Sequence, residues 1–257
     1  MTFKQWLLSE LPNPRQSPYT TLYLISLVCI VAFVVVSTLL LKNKSQKTKR
    51  NVLLVFAVTL TVVAIVRKVV NFVKTPDEDW YKVLWILLSR PGCAISGLLA
   101  VIAVFSNKKW AYTFASLIGL LCGTAFFASP AAGFDRELIQ FEEVYSIVLH
   151  VGFYVMDLCF VTYRLAEFKF SQVKSQAICF GVLTVYVAFL MLTKVEKDPF
   201  LFLPNSDVHQ LVGGMPYPLF LVLFFVFATL FFLSFFLIDD RKTVKHFVGK
   251  LLKKQQN

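Results

Sequence analysis

TTLYLISLVCIVAFVVVSTLLL, residues 20–41, carries no charged side chain, and KNKSQKTKR, residues 42–50, carries five basic ones and no acid. About 20 apolar residues in helix cross the hydrocarbon core of a bilayer, and a basic loop marks the side that stays in the cytoplasm. Further apolar stretches of similar length fall at 52–73, 82–105, 110–129, 144–165, 175–193 and 215–238. The pattern predicts an all-α membrane protein, a bundle of seven transmembrane helices. Composition agrees: 57% of the 257 residues are hydrophobic and only 16% charged, too apolar a balance for a water-soluble domain.

Charge fixes an expected orientation. Lys42, Lys44, Lys47, Lys49, Arg50, Lys108, Lys109, Arg164, Lys169, Lys174, Arg241, Lys242, Lys245, Lys250, Lys253 and Lys254 fall on one side. The opposite side holds Lys4, Arg15, Lys74, Arg136, Lys194 and Lys197, with most of the acids, among them Asp77, Glu78, Asp79, Glu142 and Glu143. The amino terminus is therefore expected outside and the carboxyl terminus in the cytoplasm. The net charge of +11 follows from this asymmetry and from attraction to anionic lipid headgroups, so it calls for no nucleic-acid partner. The chain reads as one polytopic domain over 1–257, with segments lying at the membrane surface at both ends. Phe3, Trp6, Leu7 and Leu11 share one helical face within 1–18. In the tail 241–254, Val244, Phe247, Val248, Leu251 and Leu252 recur at helical spacing with lysines opposite. The loop 194–214 is too short to build a core.

Two internal patterns stand out. Ala111, Ala115, Gly119 and Gly123 recur every fourth residue in the fourth stretch, a stripe of small side chains that lets another helix approach closely. Packing inside the bundle is favoured over a dimer seam. The second pattern is Ser89-Arg90-Pro91-Gly92-Cys93, which interrupts the third stretch. Pro and Gly disfavour a continuous helix, so a break or kink is expected there, with a fresh helix starting near Pro91 and Cys93 in its first turn. In that position the helix dipole and Arg90 favour a thiolate.

Charged groups at membrane depth are costly and mark candidate sites. Arg67, Lys68, Arg90 and His150 are expected in the outer half, and Asp157 lies two turns deeper than His150 on nearly the same helical face. Cys93 is the candidate nucleophile and His150 its acid or base. Arg90 and Arg67 are candidate phosphate holders, and Asp157 a group that orients a water or pairs with Arg90. The bland alternatives are that Cys93 is one more membrane cysteine, that His150 bonds a neighbouring helix, and that Arg67, Lys68 and Lys82 snorkel to the headgroups. Cys29, Cys122, Cys159 and Cys179 read as small hydrophobes. No cysteine and histidine spacing suggests a metal, and no cofactor is expected.

At these residues the chain resembles the YwaF-like integral membrane proteins, whose eukaryotic relatives include a phospholipid acyltransferase. The likeness runs through Cys93-Ala94-Ile95-Ser96, Lys108-Lys109-Trp110, Gly119, Ser129-Pro130, Phe134, His150 and Gly213-Gly214-Met215-Pro216-Tyr217-Pro218. It implies a seven-helix bundle of the cell membrane, the cytoplasmic membrane of a bacterium, in which Cys93 and His150 face one cavity. It also implies that Cys93 accepts an acyl chain while His150 assists. Pro91 is a departure, since many bacterial members carry His at that position. Two further readings stand beside acyl transfer from membrane lipids. One is a transporter, with helices one to three and five to seven arranged about a linking fourth and both third members interrupted by proline. The other is an assembly subunit without turnover.

Overall fold

The computed structural model describes residues 3–7, 21–74, 88, 92–128, 134, 141–193 and 215–240. Over these the chain is helical, without strands: α1 (Phe3–Leu7), α2 (Thr21–Leu41), α3 (Gln46–Lys74), α4 (Gly92–Ser106), α5 (Lys109–Ala128), α6 (Phe141–Thr162), α7 (Val173–Leu192) and α8 (Tyr217–Asp239). Six of these, α2, α3, α5, α6, α7 and α8, are long and apolar enough to cross a membrane. The helix of the third stretch, α4, has 15 residues, about 22 Å of rise, which is shorter than a hydrocarbon core of about 30 Å. A helix does begin at Gly92, as the Pro-Gly pair predicts. Most of 75–91, including Arg90, Pro91 and any extension of α4 that would make a seventh span, lies outside the described residues, as do the loop 194–214 and the basic tail.

Burial sorts the helices into a centre and a lipid-facing rim. In α5 67% of the apolar window is buried, against 11% in both α7 and α8. Small side chains explain the difference. Ala111 and Ala115 are buried, and β-carbons built on Gly119 and Gly123 would overlap Asp157 and Tyr154 of α6. The stripe therefore seats α6 directly on α5. Glycines serve the same purpose elsewhere. A β-carbon on Gly97 of α4 would strike the Phe153 ring, and one on Gly152 of α6 would stand 2.6 Å from Leu60 Cδ2 of α3. Around these packed faces, Val28, Val35 and Leu39 of α2, Val182 and Val185 of α7, and Val222, Phe225 and Leu230 of α8 point their side chains away from the protein, as lipid contact requires.

These contacts also set the register of the bundle. Gly119 meets Asp157 and Gly123 meets Tyr154, so α5 and α6 run antiparallel. Lys49 donates to the Tyr163 carbonyl at 3.4 Å, and Arg67 meets Glu142 at 3.0 Å, so α3 also runs against α6. Arg50 donates to the Val104 and Phe105 carbonyls, covering acceptors that the end of α4 leaves unpaired. Asn107, at φ 52°, makes the left-handed turn between α4 and α5, a conformation asparagine tolerates better than most residues.

The connection after α6 is pinned from two sides. The Thr113 hydroxyl accepts the Glu167 amide hydrogen at 3.0 Å and lies 2.9 Å from the Glu167 carbonyl. Asp239 and Asp240, at the end of α8, accept the amide hydrogens of Phe168 and Phe170 at 2.8 and 3.1 Å. The Glu167 carboxylate pairs with Lys109 and Lys169, and these ammonium groups, Lys109 foremost, hold its carboxyl below the ordinary 4.5. At the other end of the bundle, Trp6 of α1 packs edge-on against Phe141, with ring centroids 5.5 Å apart.

Candidate functional site

A cavity of about 80 Å³ opens between α3, α4, α5 and α6. Its wall carries Arg67, Cys93, His150 and Asp157, four of the five candidates named from sequence. The fifth, Arg90, lies outside the described residues. One face of α6 supplies much of the lining, through Tyr145, Leu149, His150, Phe153, Tyr154 and Asp157, spaced by three and four residues along the helix.

The register orders these groups by depth. Gly97 of α4 is level with Phe153 of α6, Cys93 stands one turn before Gly97, and His150 stands three residues before Phe153. By helix rise, residues 93 and 150 therefore stand at similar heights on α4 and α6. Arg67 and Tyr145 lie above them, towards Glu142, with the guanidinium carbon 4.1 Å from the Tyr145 ring centroid. Asp157 is the floor, seven residues or about 10 Å of helix rise below His150.

The histidine is fixed in both position and tautomer. Its Nδ1 lies 2.7 Å from the Ser146 carbonyl oxygen one turn earlier in the same helix. A carbonyl only accepts, so Nδ1 carries the proton in the neutral ring and the lone pair remains on Nε2. Phe126 stacks on the imidazole with a centroid distance of 4.1 Å and an interplanar angle of 8°. This bond is made within α6 rather than to a neighbouring helix, because Ser146 stands at i−4, where a helical carbonyl is in reach. Cys93 is held through its backbone: the Ser96 hydroxyl donates to the Cys93 carbonyl at 2.8 Å, in the first turn of α4.

Asp157 is fully buried, and neither carboxyl oxygen has a hydrogen-bond partner among the described residues. Gly119 is what admits it, since any side chain there would occupy the carboxylate's place. Arg67 does more than snorkel: Nη2 donates to Glu142 Oε1 at 3.0 Å while the guanidinium also lines the cavity. Lys68 reaches the Leu88 carbonyl at 3.4 Å.

Two residues that sequence reasoning passed over belong to the site. Cys122 lines the cavity, so Cys93 is not the one cysteine with unusual neighbours. Its position between Gly119 and Gly123 on the small-residue stripe was the available signal. Glu142 joins through its pairing with Arg67, across 75 positions of sequence that no local pattern reports. Among the described residues, no group of three or more His, Cys, Asp or Glu side chains is placed to hold a metal ion.

A chain whose described residues are helical, with six membrane-length apolar helices and a cavity between four of its helices, is a multi-pass membrane protein. The chain belongs to the TMEM164 family, whose profile matches residues 14–238. No curated protein and no solved structure matches it.

Proposed function

We propose that this protein is a thiol-dependent lipid-modifying enzyme that moves acyl chains from, to or between phospholipids, with Cys93 as nucleophile and His150 as acid and base. What supports this reading is that Cys93 and His150 line one cavity and that a backbone carbonyl takes His150 Nδ1, with no partner of Nε2 among the described residues. The resemblance to proteins with acyltransferase relatives supports the same reading. Cys93 attacks the ester carbonyl of a lipid, and its proton passes to His150 Nε2 as the carbon–sulfur bond forms. Collapse of the tetrahedral adduct breaks the carbon–oxygen bond, and the departing alkoxide takes the proton back from the imidazolium. An acceptor hydroxyl, or water, then gives its proton to Nε2 and attacks the thioester, releasing the new ester or the free acid and restoring the thiol.

The cavity is small, so it takes the ester and glycerol region of a lipid while the acyl chains stay among the lipid-facing helices. Arg67 is the cation for the phosphate, as a guanidinium suits that group. The charge asymmetry of the loops puts the Arg67 end of the cavity on the side opposite the basic loops, so substrate enters from the outer leaflet, in an orientation with the amino terminus outside. A transporter built from two equivalent helix triplets fits the packing less well: α4 is wedged into the centre, whereas its counterpart α8 is largely lipid-facing.

The test is acyl transfer or release by purified protein in mixed micelles, using a phospholipid labelled in its acyl chain. Wild type is expected to turn over. Cys93→Ala is expected to be inactive, and His150→Gln to be slower by about 10²–10⁴-fold. Undiminished activity in folded Cys93→Ala would overturn the proposal.

A further inference from the structure

Arg67 reaches the cavity with its charge already engaged. Nη2 donates to Glu142 Oε1 at 3.0 Å, and the second oxygen of the same carboxylate, Oε2, stands 3.8 Å from Lys74 Nζ. Glu142 thus sits between two cations, only one of which lines the cavity. Tyr145 covers the face of the Arg67 guanidinium at 4.1 Å, leaving the in-plane N–H groups to choose their acceptor.

We propose that Glu142 is an exchangeable counter-ion, displaced from Arg67 by the phosphate of a monoanionic phosphodiester lipid. The proposal rests on reading the cavity as a phospholipid site. The exchange is cheap because Glu142 keeps Lys74 as a partner when Arg67 leaves it. Tyr145 holds the guanidinium plane throughout, so only the acceptor at its edge changes and no long side chain has to be reordered. Charge supplies the selectivity. Within the ion pairs of the described residues, Arg67 and Lys74 against Glu142 leave one net positive charge, which matches the single negative charge of a phosphodiester. A phosphomonoester brings a charge nearer two, which the cluster does not balance. Because Arg67 and Glu142 are partly exposed, with side-chain accessibilities of 31% and 49%, the pair is screened and yields to a competing anion.

The experiment is equilibrium binding of lipid to the purified full-length protein in detergent, read by native mass spectrometry. The probes are phosphatidylglycerol as phosphodiester, phosphatidate as phosphomonoester and diacylglycerol as the phosphate-free control. Wild type is expected to retain phosphatidylglycerol over diacylglycerol. Glu142→Gln is expected to bind phosphatidylglycerol about two- to fivefold more tightly and to move its preference towards phosphatidate. Lys74→Gln is expected to act in the opposite direction, since removing one cation from Glu142 tightens its hold on Arg67, and this variant carries the test should Glu142→Gln fail to fold. Arg67→Gln is expected to abolish both the phosphate preference and the gain from Glu142→Gln.

Unchanged or weaker phosphatidylglycerol binding in Glu142→Gln, tighter binding in Lys74→Gln, or a Glu142→Gln gain that survives in the Arg67→Gln background would overturn the exchange. The last result would mark bulk charge as the cause. The readout requires no turnover, so it separates from the enzymatic reading. An active Cys93→Ala protein defeats the chemistry and leaves the exchange standing, whereas a protein with no phosphate preference defeats the exchange and leaves the thiol chemistry to its own assay.

Discussion

Replacing Gly119 by alanine puts a methyl group where the Asp157 carboxylate now lies. Two effects of opposite sign follow. Alanine is the better helix former, which stabilises α5 by up to about 1 kcal/mol. Against this, an extra carbon in a closely packed interface costs about 1–3 kcal/mol. Asp157 has only two side-chain torsions and is fully buried, so its carboxylate can retreat only within the cavity, and the net expectation is a loss of up to about 2 kcal/mol. Removing the obstacle reverses the balance. In an Asp157→Ala background the added methyl group enters vacated space, and Gly119→Ala becomes neutral or stabilising. Equilibrium unfolding by sodium dodecyl sulfate titration in mixed micelles, run on the four members of this double-mutant cycle, should give a coupling of about 1–3 kcal/mol. Additive effects, or an alanine at 119 that stabilises the wild-type background, would refute the contact and with it the depth assigned to Asp157.

Thr113→Val should leave the Glu167 amide hydrogen without its acceptor inside the protein, at a cost of about 1–3 kcal/mol in the same titration. The acid limb of stability offers a second check. Lys109, with Lys169 adding, holds the Glu167 carboxyl below its ordinary 4.5, so the stabilisation is present above that value and fades as the pH falls through the lower folded one. Glu167→Gln should therefore flatten the stability profile below pH 4.5, by less than about 1 kcal/mol for so accessible a pair. An unchanged acid limb would remove Glu167 from the account of how the α6–α7 connection is held.

The helices were legible because lipid imposes a length and a composition that few other environments require. The apolar stretches 20–41, 110–129 and 215–238 end within two residues of α2, α5 and α8. The start of α3 was harder, because its first turns, from Gln46, are polar and basic; the Ser45 hydroxyl accepts the Thr48 amide hydrogen at 3.1 Å and starts the helix ahead of the apolar run. Of the site, Cys93, His150, Arg67 and Asp157 were legible as costly or reactive groups in hydrocarbon, and the cavity brings them together. The partners were not legible. Which side chain faces Arg67 depends on the register of α3 against α6, set by contacts such as Leu60 on Gly152 that join positions far apart in the chain. Cys122 was passed over for a different reason: composition groups it with the other cysteines of apolar runs, and only its place beside Gly119 and Gly123 sets it apart.

The most direct test of the central claim is intact-protein mass spectrometry after brief exposure to an acyl-labelled phospholipid, with acid quench and peptide mapping. The account predicts one added acyl mass on Cys93, removed by neutral hydroxylamine as a thioester is, absent in Cys93→Ala and slower to form in His150→Gln. Active protein that carries no acyl mass on Cys93, or carries it with equal ease when His150 is replaced, would contradict it.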